Sequence, residues 1–426
     1  MSTATPNKSG GFHYAFVIAI ACCGILGTVA ALTFNAAGVF YGPVSSALGV
    51  GKGTFALYMS ILLAVCTITL TFAGSWYSKY SARKILMAIV VINAAAFLLM
   101  SQATSVYTFY IAGGMMGFCQ AFVLYLLAPT MIPRWFKKSA GTFIGIASAF
   151  TGVGAIIFNP IAGQIITNSG WQQGYLIYAI TTLVIGLPCA FLIRNYPSDM
   201  GLKPYGDTGE TVAATTAGLT GVSRAFVIKT VVFYVALLFA FCNAFVTNIN
   251  FYIPVYSTSL GLALTVGATA ASASMFGNMI GKFILGAVAD KNVRGALFIG
   301  QVGSIAGILI LYFLGPVNPL FIMGGAFLYA WANAVNSVVI PMVIKEAFGS
   351  RDYGKIISNI SMALSFSSTI GSSAWGFIVD ATNSYAYVFI TSAVLMAVSL
   401  AAGNYVMNGG KKLPHLTAEQ AAKANQ

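Results

Sequence analysis

Acidic residues are almost missing from this chain, which holds eight Asp and Glu in 426 residues. Charged residues of both signs make up only 7%, where a soluble domain carries about a quarter. That scarcity excludes an ordinary water-facing surface over most of the chain. Histidine is scarcer still: His13 and His415 lie near the two ends. No cluster of metal ligands surrounds either, so neither metal nor cofactor is expected. The six cysteines (Cys22, Cys23, Cys66, Cys119, Cys189, Cys242) all fall in apolar stretches, where such residues pack as small hydrophobes, and no disulfide framework is read from them. No nucleophile–base constellation is evident, so the chain is not expected to be an enzyme.

What is present is apolar. Hydrophobic residues make up 58%, in repeated stretches of about twenty, the length a helix needs to cross a bilayer. Only helices and closed barrels satisfy their backbones in lipid, and the roughly ten-residue alternation of barrel strands is absent. The expectation is an all-α membrane protein with twelve transmembrane helices. The spans are read at Tyr14–Phe40, Phe55–Tyr77, Ile85–Ser101, Tyr107–Ile132, Thr142–Thr167, Gly174–Ile193, Phe226–Tyr256, Val266–Val288, Gly295–Leu314, Leu320–Ile344, Ile356–Val379 and Tyr385–Val406. Pro160 and Pro254 are expected to kink or end their helices. The first stretch is too long for a signal-peptide core and reads as a retained span. The chain divides into a six-helix half (1–193), a polar linker (194–225), a second six-helix half (226–410) and a tail (411–426).

The net charge of +13 resembles that of a nucleic-acid binder, but its distribution does not. Nineteen of the 21 Lys and Arg fall on alternate loops, the linker and the tails; Lys52 alone lies on the opposite side, and Lys282 lies inside a span. That is the pattern of a topology signal. It predicts both termini and the linker in the cytoplasm, in the cell membrane, with no nucleic-acid partner.

The chain is also a tandem repeat. Gly74, Lys79, Arg83 and Lys84 after span 2 are echoed by Gly286, Asp290, Lys291 and Arg294 after span 8. Pro129 to Gly141, with Arg134, Lys137 and Lys138, is echoed by Pro341 to Gly354, with Lys345 and Arg351. Parallel repeats of this kind place a substrate site near the midplane between the halves.

These residues resemble the major facilitator superfamily over essentially the whole chain. In that family the loop after span 2 reads Gly, three residues, Asp, a basic residue, one residue, Gly, then further basic residues. Gly74, Lys79 and Arg83 match, while Ser78 and Ser81 replace the Asp and the second Gly; the second copy keeps Gly286, Asp290, Lys291 and Arg294. The resemblance implies that this motif latches helices at the cytoplasmic face and steers the conformational cycle. A narrower resemblance is to monocarboxylate porters and oxalate/formate antiporters. It rests on Arg134-Trp135-Phe136, the Gly-rich fifth span, Gly170-Trp171, and Phe348-Gly349 with Arg351, Tyr353 and Gly354. The key basic residue of that group in span 8 falls on Lys282, usually Arg in the group. Asn278 stands where some members carry Asp, and Ile360 near where the oxalate antiporters carry a second Lys.

All eight acids lie in loops, tails or the mouth of a span, so Lys282 is the one formal charge expected inside the bundle. A charge there costs at least about 2.5–3.5 kcal/mol and usually faces a cavity. Two readings compete. Lys282 pairs with an anionic substrate, helped by Asn278 one turn earlier on the same face. Alternatively, it snorkels toward the interface near Asp290, roughly 12 Å along the helix. Asn35, Gln120, Tyr125, Asn243, Asn248, Asn250, Asn333 and Asn336 are candidates to line the path, or else make interhelical hydrogen bonds. Gly113, Gly117, Gly141, Gly145, Gly152 and Gly154 have the spacing of close helix packing. The expected function is alternating-access transport of a small organic anion, a monocarboxylate on the resemblance, by a monomer. Without an interior acid, exchange or facilitated movement is favoured over coupling through a carboxylate; proton symport with Lys282 titrating stays open. The rivals are transport of a neutral solute or lipophilic drug with Lys282 structural, and a transporter-like receptor.

Overall fold

In a computed structural model, residues 13–206 and 221–414 are described. Lys8, Asp207, Glu210, His415, Glu419, Lys423 and the side chain of Ser78 lie outside the described residues. Among the described residues, twelve helices are long and apolar enough to cross a membrane. They are spans 1 to 12: Tyr14–Asn35, Lys52–Tyr77, Ala82–Ser101, Val106–Trp135, Ala140–Ser169, Trp171–Leu192, Val231–Phe251, Leu264–Ala289, Val293–Leu314, Pro319–Phe348, Tyr353–Thr382 and Ala386–Gly410.

Most limits fall within a few residues of those read from hydropathy, and the larger differences have local causes. Span 1 stops at Asn35, and the apolar run beyond it forms a separate helix, Gly38–Leu48. Span 7 starts at Val231 because the Thr230 hydroxyl accepts the Phe233 N–H (3.4 Å) and caps it. It ends in a tight 3₁₀ turn at Asn248–Phe251, after which Pro254 opens a new helix, Ile253–Ser259. The helix therefore breaks before Pro254. At Pro160 the helix does not end: span 5 runs through it from Ala140 to Ser169. Proline has no N–H to offer the Ile156 carbonyl one turn back. The Ser272 hydroxyl of span 8 donates to that carbonyl instead, at 3.0 Å.

The apolar core has three parts. One lies at the end of the bundle that carries Lys52, and draws on residues from both sides of the linker, among them Phe40, Phe55, Tyr252 and Trp375. At the opposite end, where the linker runs, two cores are separate. One contains Tyr77 and Trp135 and uses only residues before the linker; the other contains Leu297 and Phe348 and uses only residues after it starts. The described linker residues are pinned at both sides. Tyr205 N–H donates to the Trp135 carbonyl (2.8 Å), and Val222 N–H to the Phe348 carbonyl (2.9 Å). Asp352 completes the second attachment by accepting the Arg224 N–H at 2.9 Å.

Contacts across the two sets of six spans cluster toward the Lys52 end. Spans 2 and 11 cross where the Gly53 and Gly376 backbones meet. The Asp380 carboxylate of span 11 accepts the N–H groups of Lys52 (3.0 Å) and Gly53 (2.8 Å), capping span 2 from the other half. Ser60 Oγ lies 2.6 Å from the Thr369 carbonyl oxygen and 2.7 Å from Ser372 Oγ. Spans 5 and 8 run antiparallel, meeting at Gly163 with Ala268 and at Ile156 with Ser272. The bundle is thus closed at one end.

Candidate functional site

The central cavity, of about 440 Å³, lies between the two sets of spans. It is lined from spans 1, 2, 4 and 5 on one side and spans 7, 8, 10 and 11 on the other. Toward the Lys52 end its roof is aromatic. Phe34 packs edge-on to Phe251 across the halves (ring centroids 5.5 Å apart), and Tyr41 stacks on Phe251 from behind (5.8 Å).

Four of the lining helices leave α geometry at the cavity. Span 1 widens to π-type hydrogen bonding over Leu26–Asn35, span 4 over Ala121–Leu127 and span 10 over Val335–Val339, while span 7 tightens at Asn248–Phe251. Spans 6 and 9 carry π stretches as well, at Thr182–Gly186 and Ile310–Leu314. In the first four the irregular stretch itself contributes to the wall: Asn35, Tyr125, Asn336 and Asn248 all lie in one. Irregular helix turns of this kind recur at functional sites, and irregular backbone at membrane depth occurs where it lines a cavity or is buried in protein. The turn in span 7 is held by the buried Tyr329, whose hydroxyl lies 2.6 Å from the Thr247 carbonyl oxygen and accepts the Asn250 N–H at 3.1 Å.

Lys282 is half-buried in this wall, one turn from Asn278. Among the described residues Lys282 has no hydrogen bond and no ion pair; the single ion pair there joins Lys355 to Asp352 at 3.4 Å, far along the chain. The Asn278 Oδ1 is buried and also without a partner. No Asp or Glu of the described residues lines the cavity. The site therefore presents one unpaired ammonium and one unpaired amide.

Asn35, Tyr125, Asn248, Asn250, Asn333 and Asn336 share the wall with them. Several are already partly engaged. Asn35 Nδ2 donates to the Thr151 carbonyl (3.0 Å), Asn248 Nδ2 to the Ala244 carbonyl (2.9 Å), and Asn250 Oδ1 accepts from Ser274 (2.7 Å). Two candidates lie elsewhere. Gln120 is buried between spans 1 and 4, where Nε2 donates to the Val29 carbonyl at 3.1 Å. Asn243 is buried behind the wall and donates to Asn336 Oδ1 at 2.7 Å. It in turn accepts from Gln301 Nε2 (3.1 Å), which also donates to Ser399 Oγ (2.9 Å). Such a chain fixes the orientation of the Asn336 amide.

The serines of span 11 were not singled out by residue type. Ser361, Ser365 and Ser368 line the cavity, and their spacing of four and three puts them on one helix face. That stripe is the signal that identifies them. The glycines divide. Gly113 and Gly154 are pressed against Tyr58 and Gly27, whereas Gly141 and Gly145 face open space, against the expectation that they pack.

The repeated loop motifs sit at the linker end. Arg83 stacks over the Phe191 ring (3.5 Å to its centroid), and Arg294 donates to the Asn408 amide oxygen. Gly74 has nothing within 4 Å of where a Cβ would lie, and Gly286 only a Val338 methyl at 3.9 Å. The side chains of Lys79, Asp290 and Lys291 make no hydrogen bond or ion pair with the described residues. Among the described residues, the motif makes no hydrogen bond or ion pair that joins the halves in this conformation.

Comparison with known proteins agrees with this architecture. The chain is 24% identical to the uncharacterized transporter ESBP6 of Saccharomyces cerevisiae over 266 residues, 59% of this chain and 37% of the yeast protein. It is 22% identical to monocarboxylate transporter 4 of Rattus norvegicus over 398 residues, 90% of this chain and 82% of that one. The solved structure of a D-xylose–proton symporter superposes with a TM-score of 0.68 at 14% identity, covering 92% of this chain and 97% of that one. Fold is thus shared with a sugar carrier and sequence with a monocarboxylate carrier, so neither fixes the substrate. The sequence profile of the Major Facilitator Superfamily matches residues 23–292 and 258–422, and the chain is a multi-pass membrane transporter that belongs to that superfamily.

Proposed function

We propose that the protein transports a small organic anion, a monocarboxylate, by alternating access, with Lys282 as the counter-charge. The observation that carries this reading is the unpaired Lys282 in the wall of the central cavity. An ammonium held inside a membrane bundle without a protein carboxylate leaves its partner to be supplied by a ligand. Asn278 adds a second hydrogen-bonding group on the same helix face. Residues 1–193 and 226–410 act as the two rocking halves, with the linker and both termini in the cytoplasm of a cell-membrane protein. The conformation described here is then open toward the cytoplasm. Exchange of one anion for another suits a cavity wall without carboxylates.

The test is initial uptake into proteoliposomes, per molecule of inserted protein, for Lys282→Ala, Lys282→Gln and Lys282→Arg. Loss of a charged hydrogen bond of about 1.5–3 kcal/mol corresponds to a fall of about 10- to 150-fold in both neutral variants. Arg keeps the charge in a planar fork and should retain part of the activity. Near-normal anion uptake in both neutral variants sinks the reading.

A second reading, transport of a neutral solute, has one observation in its favour. The wall is rich in amides, with Asn35, Asn248, Asn250, Asn278, Asn333 and Asn336. On that reading Lys282→Gln transports normally and neutral solutes compete.

A further inference from the structure

The central cavity does not end at Lys282. A second cavity of about 670 Å³ opens beside it, between span 5 from Thr142 to Val153 and span 8 from Met275 to Phe283. Thr151, Met275, Asn278, Lys282 and Ser337 line both. The rest of the second wall is mostly apolar, with Ile146, Ala149, Phe150, Met279, Phe283 and Val338.

The cleft arises from how two helices part. Spans 5 and 8 touch at Gly163 with Ala268 and at Ile156 with Ser272, and by Gly152 the nearest atom to a Cβ is the Met275 carbonyl oxygen at 3.9 Å. Continuing that antiparallel register sets Gly145 opposite Lys282. A Cβ on Gly145 meets nothing within 4 Å. The helices have diverged there, and Ile146, Phe150 and Phe283 stand exposed along the gap.

A ligand whose charged group sits at Lys282 and Asn278 therefore has an apolar trough beginning at the same residues. Resting on the anion reading above, we infer that the preferred substrates are amphiphilic monocarboxylates. The carboxylate pairs with Lys282, and the hydrocarbon part lies in the cleft between spans 5 and 8. A two-carbon acid would fill only the polar side and leave the apolar walls without a ligand against them. Each methylene buried in the cleft is worth about 0.8 kcal/mol, about fourfold in affinity.

The experiment measures binding to the full chain in nanodiscs, with empty nanodiscs subtracted. The probes are straight-chain carboxylates from acetate to octanoate, and octanamide as the uncharged counterpart. Affinity should rise about two- to fourfold per methylene, with octanamide at least tenfold weaker than octanoate. Phe150→Ser with Phe283→Ser should weaken octanoate about tenfold and leave acetate within twofold. A wild-type series flat in chain length overturns the inference, as does a rising series that the double variant leaves unchanged. Either result spares the anion reading where acetate binding still depends on Lys282. Octanamide binding as tightly as octanoate, Lys282→Gln binding octanoate normally, or no carboxylate binding at all overturns the anion reading and this inference with it. The wild-type series is decisive by itself should the double variant fail to fold.

Discussion

The two ends of the bundle are built from the same repeats and behave differently. At the Lys52 end both sets of spans contribute to one core, with Phe55 and Trp375 in the same cluster. At the linker end each set keeps its own, around Trp135 in one and Phe348 in the other. The polar contacts that join the halves follow the same division: Ser60 with Thr369, Ser272 with Ile156, Asp380 with Lys52 and Gly53. None of these is an ion pair between side chains. Each is a hydrogen bond of a hydroxyl or a capping carboxylate, worth about 0.5–1.5 kcal/mol net for the neutral ones. A closed end held by many modest contacts, over a glycine crossing, is one that can part without a single large barrier. That property suits the alternating access proposed above.

The comparison breaks most sharply at the glycine crossing. A Cβ on residue 376 would lie 2.5 Å from the Gly53 nitrogen and 2.6 Å from its Cα, backbone atoms that cannot step aside. Gly376→Val should destabilise the closed Lys52 end by about 1–3 kcal/mol. Labelling of Ser60→Cys by a membrane-impermeant thiol reagent, over the native-cysteine background, should then speed up about 5- to 150-fold. Unchanged labelling would show that this crossing does not hold the end shut.

Next comes the cap. Asp380→Ala removes both acceptors from the start of span 2, a loss of about 1 kcal/mol and about fivefold in the same labelling rate. Asp380→Asn should do less, because asparagine also caps helices well. An Asn variant as fast as the Ala variant would point away from capping.

How far these features can be foreseen depends on which force sets them. The spans are legible because lipid demands about twenty apolar residues per crossing, and the limits slip most where a cap such as Thr230, a break such as that before Pro254, or an apolar extension such as Gly38–Leu48 intervenes. Lys282 is legible because a lone charge in lipid is rare. The asparagines are not: Gln120 and Asn243 satisfy the same rule as Asn35 and Asn333, yet face other helices. Periodicity is a poor guide here, since spans 1, 4, 7 and 10 abandon the α repeat at the cavity. The serine stripe of span 11, which lies in a regular helix, was open to a count of fours and threes. The glycines teach the converse. Gly154 and Gly145, nine residues apart, lie on opposite faces of span 5: the first packs against Gly27 of span 1, and the second faces the gap where spans 5 and 8 diverge, a tertiary fact.

At the linker end the expected effects are smaller. The Arg224 N–H, with Lys355 nearby, holds the Asp352 carboxyl below its usual range. A carboxyl lowered in the folded state stabilises above its unfolded value of about 3.9 and loses that contribution as pH falls through the lower folded value. Acidification below about pH 4 should thus loosen the second linker attachment, raising pepsin cleavage after residue 220 by about twofold. The Asp352→Asn variant should show no such acid step; a step of the same size in it would rule Asp352 out.

The smallest effect is expected at Gly145. Its empty surroundings predict that Gly145→Leu leaves the stability of this conformation within about 0.5 kcal/mol, read as an unshifted thermal midpoint in detergent. A loss as large as that of Gly376→Val would mean that the open end is closed in most molecules.

The two linker attachments carry a mechanical consequence. Tyr205 is paired with Phe136, and Gly221 with Gly349, in corresponding loops of the two repeats. Sixteen residue steps separate positions 205 and 221, so the covalent chain lets the two anchors lie at most roughly 55 Å apart. Shortening the sequence between them lowers that ceiling on how far the linker end can swing apart, and lengthening it raises the ceiling while both anchors keep their partners.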